Sequence, residues 1–468
     1  MTLMGHCPSY LFVTLIYAEN EPFPIFSAFL SMGVLKMKND NTTNKKASFN
    51  VKRYLLMFLS VFGPATITAM ADNDASGVAT YSVAGARLGY PILFTLALNV
   101  ILLAITQEMG MRLTLVTRKS LADSIREIFG VKTSLFIFGS LFIANFGTII
   151  AEFSAIKTTS VMFHLPPIPS IIFIVVVTFF FVTKGNYKLT QSIMLTSCLI
   201  FMTYIFSAFK SKPDWGLALS NLLYPHGVSF TKEYLKDYLV IGISVLGTTI
   251  TPWGQFFVSS FAFDKNIEQS RIKFSQFETY WGAFLTGFFA FFMIVATTAT
   301  LFVHNIPLTS GEQAALAIEP FAGKLAGTFF AIGILNAGFM GIVVVSLCTS
   351  YAFSEFFGIS GSLNTSYKQS KTFYTIFLLQ LVFGAIIAMI PGVSLFQIAV
   401  ITQALNAMSL PLVFYYLIKL TNNKKIMGEY ANNAFQKYFA IICTIVIIIA
   451  SILALVTTAH TTFFSGVR

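Results

Sequence analysis

Residues 63–90 read GPATITAMADNDASGVATYSVAGARLGY, an apolar stretch with Asp72, Asn73 and Asp74 at its centre. Carboxylates at membrane depth are costly, at roughly 2.5–3.5 kcal/mol for each Asp at the centre of a span. Asp, Asn and Ser also compete for backbone hydrogen bonds, and Gly77 weakens a helix further. The stretch therefore predicts one span divided into two half-helices, with freed carbonyls and carboxylates at the break.

A second stretch, residues 241–263 (IGISVLGTTITPWGQFFVSSFAF), contains a similar interruption. Pro252 cannot donate a hydrogen bond within a helix, and Gly247 and Gly254 flank it. Paired interruptions in corresponding halves of a membrane protein indicate a transporter whose binding site is built from discontinuous helices.

The composition is that of a helical membrane protein. The 468 residues are 56% hydrophobic and 10% charged, whereas a soluble domain carries about 25% charged residues. Apolar runs of about 20 residues without alternation predict α-helices. The net charge of +11 comes from Lys and Arg scattered between the apolar runs. We therefore expect a lipid bilayer, and no nucleic acid, as a partner.

We predict about eleven spans in a single transmembrane domain that covers residues 51–468. The predicted spans are residues 54–86, 91–116, 133–157, 168–183, 189–209, 237–263, 276–303, 322–352, 372–390, 394–418 and 436–459. Residues 54–209 and 237–418 would form two repeats, and residues 436–459 an extra helix. An odd number of spans per repeat inverts one repeat relative to the other, as in carriers with a site at the bilayer midplane.

The charges of the loops predict the orientation. Most Lys and Arg lie on one side of the predicted membrane, which by the positive-inside rule places the N-terminus in the cytoplasm and the C-terminus outside. We expect a monomer in the plasma (inner) membrane. Residues 1–50 begin without the basic region of a signal peptide. We interpret them as a poorly ordered extension, or as sequence upstream of the true start, for which Met37 is a candidate.

Motifs of enzymes are missing from the sequence. It contains no phosphate-binding loop, no zinc-protease motif and no dinucleotide fingerprint, and its four cysteines are far apart. We therefore expect neither a cofactor nor enzymatic activity.

Polar residues at the two interruptions are candidate ligands of an ion. Asp74 is the first candidate, and the alternative is an Asp that caps a helix at a membrane end. Asp72 is ambiguous, because it could face solvent in a vestibule. Thr248 and Thr251 precede Pro252, but hydroxyl groups in helices bond back to the preceding turn as readily as they bind an ion.

Three further positions in the spans carry candidate polar groups. Glu152, in the third span, is a functional candidate, with a structural pair to Lys157 as the alternative. Gln403 and Asn406 lie three residues apart and so on one helix face. They fit hydrogen bonds between helices as well as ion binding. The second span ends in Gln107, Glu108 and Arg112, and we interpret Glu108 and Arg112, which are four residues apart, as a structural pair near the cytoplasm.

These motifs resemble the Nramp family of divalent-metal transporters over residues 63–422. The family's first span carries a DPGN motif followed by AGAxxGY, and residues 74–77 (DASG) and 84–90 (AGARLGY) are the equivalents. Three other stretches resemble the family: residues 107–130, 330–339 and 402–411. The resemblance implies an all-α fold of the LeuT type, with an inverted repeat of five plus five spans and broken first and sixth helices.

The sequence departs from the family pattern at the site itself. Gly77 stands where transition-metal members have Asn, and Thr251 with Trp253 stands where they have Met and His around the proline. Ile149 replaces an Asp of the third span, so that only Glu152 remains there. This set of changes resembles the branch of Nramp-related magnesium transporters.

Coordination chemistry agrees with that branch. A thioether favours late transition metals over Mg²⁺, so a hydroxyl in its place leaves an all-oxygen site. Mg²⁺ keeps several of its waters and needs a roomier pocket. The resemblance thus implies a carrier that moves Mg²⁺, and Mn²⁺ with it, as a partly hydrated ion without proton coupling.

The implied shell combines a carboxylate with neutral oxygens. Asp74 supplies the charge, and the rest of the shell comes from backbone carbonyls near Gly77 and Thr248, the Thr251 hydroxyl, and Gln403 or Asn406, directly or through water. Glu152 and Asp72 are candidates for a proton or ion pathway. The alternatives are proton-coupled transport of Mn²⁺ or Fe²⁺, transport of an amino acid or other organic solute, and a receptor without transport.

Overall fold

The computed structural model describes residues 63–184, 187–306, 308, 324–392 and 395–464, and all regular elements in these ranges are helical. The helices are α1 (Pro64–Ala71), α2 (Ala75–Leu88), α3 (Ile92–Thr117), α4 (Leu121–Phe129), α5 (Val131–Met162), α6 (Pro167–Lys184), α7 (Tyr187–Ile200), α8 (Met202–Lys210), α9 (Trp215–Ser220), α10 (Lys232–Thr249), α11 (Pro252–Asp264), α12 (Ile272–Thr297), α13 (Lys324–Phe357), α14 (Lys371–Met389), α15 (Leu395–Thr421), α16 (Lys424–Met427) and α17 (Ala434–Phe464). A 3₁₀ turn (Gln269–Arg271) precedes α12, a π turn (Thr298–Phe302) extends it, and a second 3₁₀ turn (Gly428–Tyr430) follows α16. The predicted extension, residues 1–50, lies outside the described residues.

The helices account for the predicted spans. Within the described ranges, ten helical segments are long and apolar enough to cross a membrane. The first predicted span is additional to these ten, because it is divided into the short helices α1 and α2. The fifth span comprises α7 and α8, and the sixth comprises α10 and α11. The prediction of an all-helical membrane protein with broken first and sixth spans is confirmed.

Each broken span restarts as a helix in the same way. Asp74 precedes α2 in an extended conformation, and its side chain accepts a hydrogen bond from the backbone N–H of Gly77. Thr251 precedes α11 in an extended conformation, and its side chain accepts from the backbone N–H of Gly254. Such caps satisfy one of the N–H groups that a helix leaves unpaired at its start. The breaks are therefore stabilised by local side chains.

The packing places the first span at the centre of the helices. Helix α2 contacts α10, α12 and α15, and α1 lies along α12. The largest interface between helices joins α5 to α13. The outermost helices, α6 and α17, expose apolar side chains such as Phe173 and Val446. A lipid bilayer is the environment that suits such surfaces, so the breaks lie in the interior and the apolar rim faces lipid.

Candidate ion site at the two helix breaks

The first break carries two buried carboxylates with different surroundings. Asp74 Oδ1 accepts from the Gly77 N–H at 2.7 Å, whereas Oδ2, although fully buried, has no hydrogen-bond partner among the described residues. Asp74 therefore caps a helix with one of its oxygens, as the alternative interpretation expected. The helix that it caps begins at the break and not at a membrane end. A buried carboxylate oxygen without a partner is costly unless it binds a cation or a water. Asp74 remains the first candidate among the predicted ligands.

The sixth span reaches this carboxylate at Gly77. A Cβ atom at position 77 would lie 2.7 Å from Thr248 Oγ1, 2.8 Å from the Asp72 carbonyl oxygen and 3.3 Å from Asp74 Oδ1. Thr248 Oγ1 is buried and, like Asp74 Oδ2, has no hydrogen-bond partner in the part of the chain that the structure describes. Oxygens from both breaks therefore lie close around Gly77, at a position where any side chain would overlap them. We call this position, with Asp72, Asp74, Gly77 and Thr248 around it, the oxygen niche.

Asp72 ties the two breaks together. Its Oδ1 accepts from the Thr251 hydroxyl at 2.7 Å, and its Oδ2 accepts from Gln107 Nε2 at 3.1 Å. The same Thr251 oxygen accepts from the Gly254 N–H at 3.0 Å. Asp72 is fully buried, so the interpretation that it faces a solvent vestibule is wrong in this state of the protein. The Thr251 hydroxyl thus donates to Asp72 and accepts from Gly254, which leaves its oxygen one lone pair for an ion.

Gln107, to which the sequence assigned no partner, donates to Asp72 and belongs to this site. Helix α3 continues for ten residues beyond it, to Thr117, so that Gln107 lies well inside the span. That depth was readable from the length of the apolar run. Glu108 and Arg112 form the predicted pair, with 2.7 Å between Oε1 and Nε and both side chains buried. Arg112 also donates to the Tyr430 carbonyl, which links α3 to the loop before α17.

The tenth span contributes an amide pair. Asn406 Nδ2 donates to Gln403 Oε1 at 2.7 Å, which confirms that the two side chains share one helix face. Gln403 Nε2 and Asn406 Oδ1 are buried without hydrogen-bond partners. A Cβ atom at Gly247 would lie 1.8 Å from the Gln403 carbonyl oxygen, so the backbones of α10 and α15 touch here. The contact holds Gln403 beside the helix end that carries Thr248.

Glu152 of α5 caps α2 and does not pair with Lys157. Its carboxylate accepts from the N–H groups of Ala75 at 2.9 Å and Ser76 at 3.1 Å, and from the Ser76 hydroxyl. Lys157 instead donates to backbone carbonyls at the end of α14. A Cβ atom at Gly341 would lie 2.5 Å from Glu152 Oε2, so α13 closes the other side. A negative group at a helix N-terminus is favourable, and Glu152 thereby fixes the start of the helix that carries Gly77.

Glu278 of α12 caps the other half of the first span, and sequence reasoning missed it. Its Oε1 accepts from the N–H groups of Gly63 at 2.6 Å and Thr66 at 3.0 Å. Lys265, in the turn before α12, lies near Glu278. Burial lowers the pKa of Lys265 to about 8, and the negative charge of Glu278 opposes this fall. The only signal in the sequence was a lone carboxylate within an apolar run.

Comparison with known proteins identifies the family. The family model described as natural resistance-associated macrophage protein-like (Nramp) matches residues 65–457. The chain belongs to the Nramp family. Members of the family are transporters, which confirms the prediction that the chain is not an enzyme.

The relatives span most of this chain. The chain is 23% identical over 405 residues to the divalent metal cation transporter MntH of Caldanaerobacter subterraneus, covering 83% of this chain and 90% of the relative. It is 25% identical to the MntH protein of Verminephrobacter eiseniae, covering 84% and 88%.

Solved structures confirm the fold. The manganese transporter of Eremococcus coleocola superposes with a TM-score of 0.70 at 15% identity over 92% of each chain. A sodium-coupled sialic acid symporter superposes with a TM-score of 0.54 at 14% identity, over 87% of this chain and 96% of that one. The fold is thus shared with Nramp and other LeuT-type transporters, and the chain is an integral membrane protein.

Proposed function

We propose that this Nramp-family protein carries divalent cations, with Mg²⁺ as the main substrate and Mn²⁺ as a second one. The ion crosses the membrane partly hydrated, in a site formed by the two helix breaks. Family membership and the names of the curated relatives support the general class of substrate. The choice of Mg²⁺ rests on the atoms that the breaks present.

The oxygen niche carries this proposal. Its atoms are carboxylate, hydroxyl and carbonyl oxygens, and the nearby amide pair of the tenth span adds Asn406 Oδ1. Among the described residues, no group of three His, Cys, Asp or Glu side chains is placed to hold a metal ion. A site with one free carboxylate and neutral oxygens suits a hard cation that retains water. The four oxygens that we assign as ligands belong to Asp74, Asp72 (carbonyl), Thr248 and Asn406.

We further propose that transport needs no proton. Both oxygens of Glu152 accept hydrogen bonds from α2, so this carboxylate already serves as the cap of that helix. Ile149 offers no second acid in α5. A negative-inside potential supplies about 2.3 kcal/mol per elementary charge per 100 mV, which is enough to concentrate a divalent ion. As separate parts of the proposal, the protein is a monomer, lies in the plasma membrane and has its N-terminus in the cytoplasm.

The test is ion flux into proteoliposomes that contain a Mg²⁺-sensitive dye and a pH dye. Wild type is compared with Asp74→Ala and with the control Asp237→Ala, which removes an exposed carboxylate whose contact to Arg87 is as long as 4.0 Å. We expect Mg²⁺ entry that follows the membrane potential, no change of internal pH, and loss of entry in Asp74→Ala alone. Entry of Mn²⁺ without Mg²⁺, accompanied by acidification, would establish proton-coupled transition-metal transport instead.

A further inference from the structure

One face of α12 packs against α1 along the whole length of α1. Glu278, Gly282 and Thr286 are spaced by four residues and therefore lie on the same side of the helix. We call these three residues the α12 stripe. At one end Glu278 accepts from the first free N–H groups of the half-helix, those of Gly63 and Thr66.

The other two members of the stripe continue the contact to the break. A Cβ atom at Gly282 would lie 3.1 Å from both the Ala65 carbonyl oxygen and Ala69 Cβ, so the two helices approach closely there. Thr286 donates its hydroxyl hydrogen to the Ala69 carbonyl oxygen. Its own carbonyl accepts from Asn73 Nδ2 at 3.2 Å, within the break. Helix α1 is thus held at its start, its middle and its end by one neighbour.

The two halves of the first span are capped by carboxylates from different helices, although α12 contacts both halves. Helix α2 is capped by Glu152 from α5, and α1 is capped by Glu278 from α12. Only Asp72, Asn73 and Asp74 join the halves, and α1 has eight residues. Helix α1 also contacts α7, α11 and α13, but its interface with α12 is the largest, so separation from α12 is the main step that would let α1 move.

The ion must nevertheless be reached from both sides of the membrane. Asp72, Asp74 and Thr248 are fully buried in this structure, so an element of the wall has to move before an ion can enter or leave. Since α1 carries Asp72 at its end, its departure from the stripe would uncover the niche on the side of the membrane where α1 begins.

We propose that Glu278 is a positioning residue that sets how readily α1 leaves the α12 stripe, and thereby from which side the ion site is open. This inference rests on the proposed function, since it concerns access to the same site. The Glu278 carboxylate acts through the helix and does not touch the ion. Its two bonds to backbone N–H groups are charge-assisted, so that loss of the charge weakens both while the shape is kept.

The experiment uses the full-length protein in sealed vesicles of defined orientation. Glu278→Gln is compared with wild type and with Glu268→Gln, the same change at an exposed position of the turn before α12. A cysteine at Thr68, a fully buried residue of α1 whose hydroxyl bonds only within its own helix, reports exposure to an impermeant thiol reagent. Labelling above that of the native cysteines is measured from each side, together with the KM for ions offered on each side.

In Glu278→Gln we expect faster labelling from the side where α1 begins. The KM for ions offered on that side should fall and the KM from the opposite side should rise, each by about tenfold, as expected when a hydrogen bond to a charged group is lost. Glu268→Gln should match wild type. Equal slowing of transport in both directions with unchanged labelling would overturn the proposal, since that is the effect of general damage.

A second variant protects the test from misfolding of Glu278→Gln. Gly282→Ala places a methyl group between the helices and should shift labelling and the two KM values in the same direction. If neither variant changes the labelling, the stripe does not control access. If labelling responds in both variants while the wild type moves no Mg²⁺ or Mn²⁺, the assignment of Glu278 stands and the proposed function fails.

Discussion

Gly77→Ala tests the oxygen niche with a single methyl group. The new carbon would lie 2.7 Å from Thr248 Oγ1 and 2.8 Å from the Asp72 carbonyl oxygen, closer than non-bonded carbon and oxygen atoms approach. Overpacking of this kind costs about 1–3 kcal/mol. Ala in place of Gly within a helix returns up to about 1 kcal/mol. The methyl group also displaces the two oxygens from their present positions, and a loss of about 1–2 kcal/mol in ion binding corresponds to a roughly 5- to 30-fold weaker site.

The assay combines transport with thermal unfolding. We expect Gly77→Ala to raise the KM for Mg²⁺ and to lower the unfolding midpoint, because the overlap strains the protein before an ion binds. The control is Gly139→Ala in α5, where a Cβ atom would meet no other atom within 4 Å. That variant gains the helix preference of Ala without a clash, so it should unfold at a higher temperature and transport normally.

The opposite outcome for Gly77→Ala would refute the reasoning. If Gly77→Ala raises the unfolding midpoint as Gly139→Ala does, and leaves the KM unchanged, then no oxygen atoms crowd position 77. The ligand assignment to Thr248 and to the Asp72 carbonyl would then be wrong, because both rest on that convergence.

Two further predictions concern the carboxylates that support the site. Glu152→Gln replaces one acceptor oxygen by an amide group whose hydrogens oppose the N–H groups of α2. Mg²⁺ flux should therefore fall about tenfold or more. A proton current that is present in wild type and absent from the variant would contradict uncoupled transport. Arg112→Met leaves the buried Glu108 carboxylate without its cation, although the amides of Gln276 and Gln436 still donate to it. Removal of one partner of a buried ion pair costs up to about 3–5 kcal/mol and should lower the unfolding midpoint. Adding Glu108→Leu should recover most of that loss, and a further drop would argue against the pair.

The sequence was informative wherever a local rule governs the structure. Carboxylates, Gly and Pro in apolar stretches predicted both breaks, because each residue type acts on its own backbone. The i, i+3 spacing of Gln403 and Asn406 and the i, i+4 spacing of Glu108 and Arg112 predicted side-chain contacts that the structure contains. These successes depend only on helix geometry, which is the same in every helix.

The failures involve partners that are distant in sequence. Glu152 and Lys157 are five residues apart, a spacing that directs the side chains to different helix faces, and each bonds to another span. Gln107 and Asp72 meet only because α3 packs against the first break. Glu278 reaches Gly63 across 215 residues of chain. No pattern within a single helix contains this information, so the network around the ion site required the structure.

The backbone contact between Gly247 and Gln403 limits how the site can distinguish ionic radii. Any side chain at position 247 would overlap the Gln403 carbonyl, so α10 and α15 are fixed to each other and their ligands keep a constant spacing. A larger or smaller ion would then have to be accommodated by the segment from Asp72 to Asp74, which side-chain hydrogen bonds hold in place. We therefore expect this segment, and not the fixed pair of helices, to decide which ions fit the proposed site.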